Sequence, residues 1–228
     1  MATVEATVVG NWGSGSIWRV TSGTFPSNAY FAEADVPGGG VLVDPGLDGP
    51  GIDAALSAHG FRPHQVFCTH GHFDHTGGAA HFQQRYGCEV FLHRADARTT
   101  SSSNFLLMAL KIPHRVTAAD ITLVDDGFSA DIAGQPLRFL RAAGHTPGSC
   151  VLELGSAWFT GDTIYRRGVG LNHLPGEDQD ALRSTVLGLW PELTAERTVF
   201  PGHGDPADGE TVRTGNSALA EFLGLVTQ

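Results

Sequence analysis

Between Thr69 and His75 the chain reads Thr-His-Gly-His-Phe-Asp-His, which sets three imidazoles and a carboxylate within six residues. No other stretch carries so many metal-ligand side chains, and the rest of the chain is read as serving it. Imidazole suits zinc, iron, copper and nickel, and carboxylate oxygen suits harder cations. A mixed His/Asp set therefore points to a transition metal held by nitrogen and oxygen. The apolar run Val66-Phe67-Cys68 before it and Thr76-Gly77-Gly78 after it suggest a buried strand that delivers the donors into a loop.

Three further polar positions follow strand-like segments. They are Gly144-His145-Thr146-Pro147-Gly148-Ser149, Gly161-Asp162-Thr163 and Pro201-Gly202-His203-Gly204. Glycine or proline brackets each one, and such turns bring side chains to a sheet edge at little steric cost. The candidate ligands are thus His70, His72, Asp74, His75, His145, Asp162 and His203, able to converge on one end of the fold. His59, His64, His81, His93 and His114 read as ordinary surface or core histidines.

Short β-prone segments at Ala2–Val9, Ile17–Val20, Tyr30–Glu33 and Val41–Val43 predict a first sheet. Asp44 ends the last of them, with an Asx turn and a site-supporting role equally open. Helical spacing at Gly51–His59 and Gly77–Tyr86, with strands at Gln65–Cys68 and Val90–Leu92, gives an α/β alternation. Thr99–Asn104 reads as a polar loop and Phe105–Leu110 as an apolar helix ended by Pro113. That segment is read either as a lid over a pocket or as packing against the core. A second strand series runs Ile121–Val124, Phe128–Ile132, Leu137–Leu140, Val151–Leu154 and Ala157–Thr160. A helix at Asp178–Leu189, a strand at Thr198–Phe200 and a last helix over Glu210–Leu225 complete the order.

At 228 residues and 41% hydrophobic content the chain can bury a full core, and no linker composition divides it. One domain over 1–228 is expected. The net charge of −10 argues against nucleic acid and anionic membrane partners. Cys68, Cys88 and Cys150 are too few and too irregular for a disulfide framework, so buried free thiols are expected. With no secretory pattern at the N-terminus and no apolar run of about 18 residues, a cytoplasmic location is the expectation.

The four blocks Thr-His-x-His-x-Asp-His at 69–75, Gly-His-Thr-Pro-Gly-Ser at 144–149, Gly-Asp-Thr at 161–163 and Pro-Gly-His-Gly at 201–204 resemble the metallo-β-lactamase-fold hydrolases. They stand in that family's order, and the likeness covers about residues 15 to 205. The resemblance implies an α/β (α+β) fold, the four-layer αββα sandwich, with a dinuclear site at the sheet edges. It assigns His70, His72 and His145 to one ion and Asp74, His75 and His203 to a second, with Asp162 bridging. The ions would be two divalent metals, zinc first, with iron or manganese as alternatives.

Within the family the wording looks most like the glyoxalase II-like thioesterases. Two departures stand out. Leu171 and His173 occupy the places where bacterial members and persulfide dioxygenases usually carry Arg and Asp, and Lys111 is the single lysine. Arg213 is the one nearby candidate for the glutathione-carboxylate contact. Tyr165 stands three residues after Asp162, where thioesterases commonly have Phe and acyl-homoserine lactonases have Tyr; it is read either as a hydroxyl supporting the reacting oxygen or as a half-buried ring packing as Phe would. The 70 residues between His75 and His145 exceed the interval usual in glyoxalase II, and the excess maps to 94–120, a lid insertion in this reading.

The function implied is hydrolysis of an acyl bond, thioester or lactone, by a metal-bound hydroxide, with Asp74 and Tyr165 in catalytic roles and a small-molecule acyl substrate as partner. The alternatives are a mononuclear iron persulfide dioxygenase using His70, His72, His145 and Asp162, and an acyl-homoserine lactonase. A homodimer is allowed.

Overall fold

The computed structural model describes residues 4–23, 25–34, 37–172 and 174–225. The first two residues of the predicted opening strand and His173 lie outside them. The chain begins with strands β1 (Ala6–Asn11), β2 (Ser16–Ser22), β3 (Ser27–Glu33) and β4 (Gly39–Val43). Helix α1 (Gly49–Ser57), β5 (Arg62–Phe67), α2 (Phe73–Thr76), α3 (Ala79–Tyr86) and β6 (Glu89–His93) follow. Helices α4 (Ala97–Ser101) and α5 (Ser103–Ala109) lead into β7 (Ile121–Val124). These seven strands form one sheet in sequence order, antiparallel from β1 to β4 and parallel from β4 to β7. The change of direction coincides with the first helix, because a parallel return needs a crossover.

The second sheet holds β8 (Ser129–Ile132), β9 (Gln135–Arg141), β10 (Cys150–Leu154), β11 (Ala157–Gly161), β12 (Thr198–Pro201) and β13 (Ala207–Asp208). Helix α6 (Gln179–Leu189) carries the crossover from β11 to the parallel β12, and α7 (Gly209–Gly215) and α8 (Ser217–Leu223) end the described chain.

Side-chain alternation makes the layers. In β4, Val41 and Val43 face the second sheet while Leu42 faces the helices; in β5, Phe67 faces inward and Val66 outward. In β11, Ala157 and Phe159 face inward and Trp158 outward. The period of two buries both faces of each sheet. The result is helix, sheet, sheet, helix, with α1 and α3 over the first sheet and α6 to α8 over the second. Phe67 stacks on Phe91 at 4.9 Å between the sheets, and truncating such a ring to Ala costs roughly 3–5 kcal/mol.

Four local expectations need correction. The donor stretch is not all loop: Phe73–Thr76 forms the one-turn α2, closed by the Thr76 amide and hydroxyl on the His72 carbonyl. Gly77 and Gly78 then separate it from α3, so the helix predicted from Gly77 begins two residues later. The polar run 99–104 is largely helical, because the hydroxyls of Thr100, Ser101 and Ser102 donate back to the carbonyls of Asp96 and Arg98 rather than opening the turn. The last helix is two helices broken at Asn216, whose side chain caps α8 through the Leu219 amide.

Candidate metal centre

Strands of both sheets end at one edge, and β4, β5, β6, β9, β11 and β12 each hand their next residues to the centre. After β4 comes Asp44, buried, with φ of +51° in the left-handed region that Asp tolerates better than most residues. That turn aims its carboxylate at the neighbouring strand end. Oδ1 accepts the Thr69 amide at 2.7 Å, and Oδ2 accepts the Thr69 hydroxyl at 2.7 Å and His75 Nδ1–H at 2.9 Å. His70 Nδ1 lies 3.1 Å from the same Thr69 hydroxyl oxygen. One carboxylate therefore orients His75 directly and His70 through Thr69, leaving the Nε2 atom of each ring facing the centre. A partner on the far ring nitrogen is the usual support for a ligating imidazole.

A second carboxylate, Asp96, works on backbone instead. It is fully buried just past β6; Oδ2 accepts the Gly71 amide at 2.7 Å and the Thr146 hydroxyl at 2.6 Å, and Oδ1 accepts the Gly148 amide at 2.6 Å. It thus ties the segment between His70 and His72 to the segment after His145. A Cβ on Gly148 would sit 2.6 Å from the Asp96 carboxyl carbon, so this approach requires glycine.

From the second sheet, His145 follows β9 and donates Nδ1–H to the Gly170 carbonyl at 2.9 Å. Asp162 follows β11. His203 follows β12, its Nδ1 3.1 Å from the Pro26 carbonyl. The loop bearing His203 is fixed to the first sheet: the Asn28 amide donates to the Gly202 carbonyl at 2.7 Å and the Tyr30 hydroxyl to the Pro201 carbonyl at 2.7 Å.

All seven sequence-derived candidates come together. The donor atoms of His70, His72 and His145 lie within 4.8 Å of one another, as do those of Asp74, His75 and His203, and those of His70, His75 and Asp162. Asp162 reaches both sides, with Oδ2 3.4 Å from His145 Nε2 and 3.6 Å from His203 Nε2, and Oδ1 3.4 Å from His75 Nε2. His72 Nδ1 and His145 Nε2 stand 2.9 Å apart. Among the described residues the other histidines stay outside: His81 pairs with Asp53 at 2.7 Å, His93 with Asp126 at 2.9 Å, and His59 stacks on Phe61. Cys68, Cys88 and Cys150 are free and buried.

Whether these residues suit a metal is tested by hydrogen bonding. His70 Nε2, His75 Nε2 and Asp162 Oδ1 are buried with no partner among the described residues. Buried polar atoms are nearly always paired, and three orphans converging on one point fit a cation-binding role. The electrostatics divide the group. Burial and the neighbouring imidazoles push His70 well down, and burial with His145 pushes His72 down to about 4. These two imidazoles are therefore neutral near pH 7. In the second, burial works against His75 and His203, but the carboxylates of Asp74, Asp162 and, for His75, Asp44 raise both above the ordinary imidazole value. Burial would raise Asp74, yet His75 and His203 hold it below the usual carboxylate range.

Above the centre lies a cavity of about 420 Å³. Phe25, Phe73, Leu106, Leu110 and Leu174 form its apolar wall, and His72, Asp74, His145, Asp162, Tyr165 and His203 its polar floor. From the 94–120 segment, Leu106 and Leu110 line the cavity while Leu107 packs on Leu47 and Phe73. Tyr165 stands edge-on to His203 with centroids 6.3 Å apart; burial and Asp162 push its phenol well up, so it stays protonated. Arg213 is not at this cavity: its guanidinium lies over the Trp190 ring at 5.5 Å. Asp96 and Asn216 were not anticipated, the one cue for Asp96 being its place past the carboxyl end of a parallel strand, where sites assemble.

A sequence profile of the metallo-beta-lactamase superfamily matches residues 22–203. The probable metallo-hydrolase YqgX of Bacillus subtilis is 28% identical over 208 residues, spanning 90% of this chain and 97% of that one. The hydroxyacylglutathione hydrolase of Anaeromyxobacter dehalogenans is 35% identical over 73% of this chain, which spans only 57% of that enzyme. Among solved structures, TTHA1623 in a di-iron-bound form superposes with a TM-score of 0.77 at 29% identity, covering 87% of this chain and 98% of that one.

Proposed function

The chain belongs to the metallo-β-lactamase superfamily of metal-dependent hydrolases, and from that premise we propose that it hydrolyses an acyl bond, a thioester first, at a centre of two divalent ions. The observation that carries this reading is the pair of triads sharing Asp162 beneath a cavity with an apolar wall. Zinc is the first candidate, and iron or manganese would suit the same donors.

Bound there, the ions would lower the pKa of a water from about 15.7 toward 7 and polarise a carbonyl. The protein's own share can be derived residue by residue. The apolar wall takes the acyl chain and keeps bulk water from it. Asp74, held ionised by His75 and His203, accepts a hydrogen bond from the attacking water. Tyr165, kept protonated, donates to the carbonyl oxygen as charge develops there, a contribution of the oxyanion-hole kind. Water oxygen forms the new bond to the acyl carbon, the carbon–sulfur bond breaks, and the sulfur leaves with a proton. Asp162 fixes the spacing of the triads, and Asp44 and Asp96 hold the imidazoles in place.

A lactone substrate is the second reading, favoured by the place of Tyr165 in the cavity floor. A mononuclear dioxygenase would leave Asp74, His75 and His203 idle, although Asp44 contacts His75 directly and His70 only through Thr69. Metal analysis of the purified protein with a hydrolysis screen of thioesters and lactones is the test: two metals per chain with turnover supports the proposal, while one iron with oxygen uptake on persulfides overturns it. Tyr165→Phe separates the two hydrolytic readings. A loss confined to lactones selects the lactone; equal losses on both leave the thioester reading in place.

A further inference from the structure

Among the described residues no arginine or lysine lines the acyl cavity, yet two adjacent guanidiniums line the recess beside it. Arg166 and Arg167 line a second recess of about 350 Å³ with His203, Gly204 and Asp205, and His203 borders both spaces. We propose that the substrate carries an anion, a carboxylate or a phosphate, on its leaving-group side and that Arg166 and Arg167 receive it. This rests on the acyl-hydrolase reading and adds to it the chemistry of the leaving group.

Charge comes first. The one carboxylate in the recess, Asp205, is committed to Arg19 at 3.0 Å, and Arg19 also donates to the Gly204 carbonyl. Neither Arg166 nor Arg167 has an ion-pair partner among the described residues. Counting Arg19, Arg166 and Arg167 against Asp205 leaves two positive charges in excess. In a chain of net charge −10 such a local excess attracts anions that the rest of the surface repels. Guanidinium is also the side chain best matched to carboxylate and phosphate oxygens, which it can grip through two parallel hydrogen bonds.

Rigidity is the second, independent point. Buried Asn216 donates Nδ2–H to the carbonyls of Tyr165 at 3.1 Å and Gly168 at 2.9 Å, and its Oδ1 accepts the Gly168 amide at 3.0 Å. The dipeptide Arg166-Arg167 is therefore held on both flanks by one side chain. Tyr165, on the same clamped loop, lines the acyl cavity. One loop thus serves both ends of the scissile bond, with the phenol at the reacting oxygen and the guanidiniums past His203. The acyl group lies in the apolar cavity, and the departing thiol points to the arginines.

The test compares thioesters of one acyl group with three thiols: N-acetylcysteamine, which is neutral, 3-mercaptopropionate, and a phosphate-bearing alkanethiol. The readout is the ratio of kcat/KM for each anionic ester to the neutral one, in the wild type and in Arg166→Gln/Arg167→Gln. The wild type is expected to favour an anionic ester roughly tenfold at low salt, the double variant to bring the ratio to about one, and added salt to do likewise. The carboxylate and phosphate arms tell the two anions apart. Equal rates in the wild type, or a preference that survives in the double variant, overturns the proposal. Non-hydrolysable thioether analogues keep the two readings separable. If no thioester turns over, tighter binding of the anionic thioether that is lost in the double variant still supports the recess, and identical binding overturns it.

Discussion

The two triads share residue types and one sheet edge, yet they are built differently. His70, His72 and His145 are three buried nitrogen donors, of which burial and neighbouring imidazoles hold His70 and His72 neutral near pH 7. Asp74, His75 and His203 combine a carboxylate with two imidazoles whose pKa values the nearby carboxylates raise, and His203 is the most open of the seven, its side chain 34% exposed. Their supports differ as well. Asp96 pins the main chain on either side of the first triad, whereas Asp44 orients rings, His75 of the second directly and His70 of the first through Thr69. The first is an all-nitrogen site of buried rings, and the second a mixed site with one exposed member, His203; both reach the cavity floor, through His72 and His145 and through Asp74 and His203.

The largest effect is expected from Asp162→Asn, since that carboxylate reaches both triads. Hydrolysis should fall by at least roughly 100-fold and metal content should drop for both ions. Unchanged occupancy with full activity would show that Asp162 does not couple them. Next, His203→Ala should lower the metal content to about one per chain, while His72→Ala should leave neither ion well held. Equal losses would mean that the triads are one unit rather than two sites.

The braces come third. Asp44→Asn should weaken metal binding at the second triad by roughly 10- to 100-fold, with a smaller loss at the first through Thr69 and His70, and Asp96→Asn should act on the first, both read by competition with a chelator. An Asp96→Asn protein that loses the second metal first would reverse the assignment.

The smallest effect serves as a control away from the centre. Asp53 accepts from Tyr86 at 2.6 Å and Ser57 at 3.1 Å and pairs with His81 and Arg85. Burial opposes the shift, but these partners hold its carboxyl below the usual range. A lowered folded value means that its stabilisation is complete above the ordinary Asp value of about 3.9 and is lost as pH falls through the folded one. Chelator-treated wild type should therefore lose a few degrees more of Tm than Asp53→Asn between pH 5 and 3, equivalent to about 1 kcal/mol. Equal losses would remove Asp53 from the acid response.

The ligands were legible in the sequence because four of them cluster in 70–75 and because glycine or proline flanks His145, Asp162 and His203. The sheets were legible because short apolar, β-prone runs such as Val41 to Val43 and Ala157 to Phe159 stand between turn residues, and these side chains alternate between two apolar faces. The braces were not. Asp44 reads equally well as a turn residue, and only its contact with Thr69 and His75, 25 and 31 positions on, decides the matter. Asp96 is a lone acid between two alanines, given meaning by amides 25 and 52 residues away. The run 99–102 misled because serine and threonine favour loops by competing for backbone groups, and here that competition is satisfied inside a helix. Arg166 and Arg167 carry no motif, and their environment exists only once Asn216 folds back on their loop.

Each triad takes members from both sides of the sandwich: His70 and His72 with His145, and Asp74 and His75 with His203. An ion in either triad is thus a cross-link between sheets that are otherwise joined chiefly by apolar packing, comparable to a disulfide closing a long loop. Loading it would raise the melting temperature with ligand concentration. Chelation would loosen the docking of one sheet on the other before either sheet frayed, so amide exchange should quicken first along the seam where the Cys150 amide meets the Thr69 carbonyl.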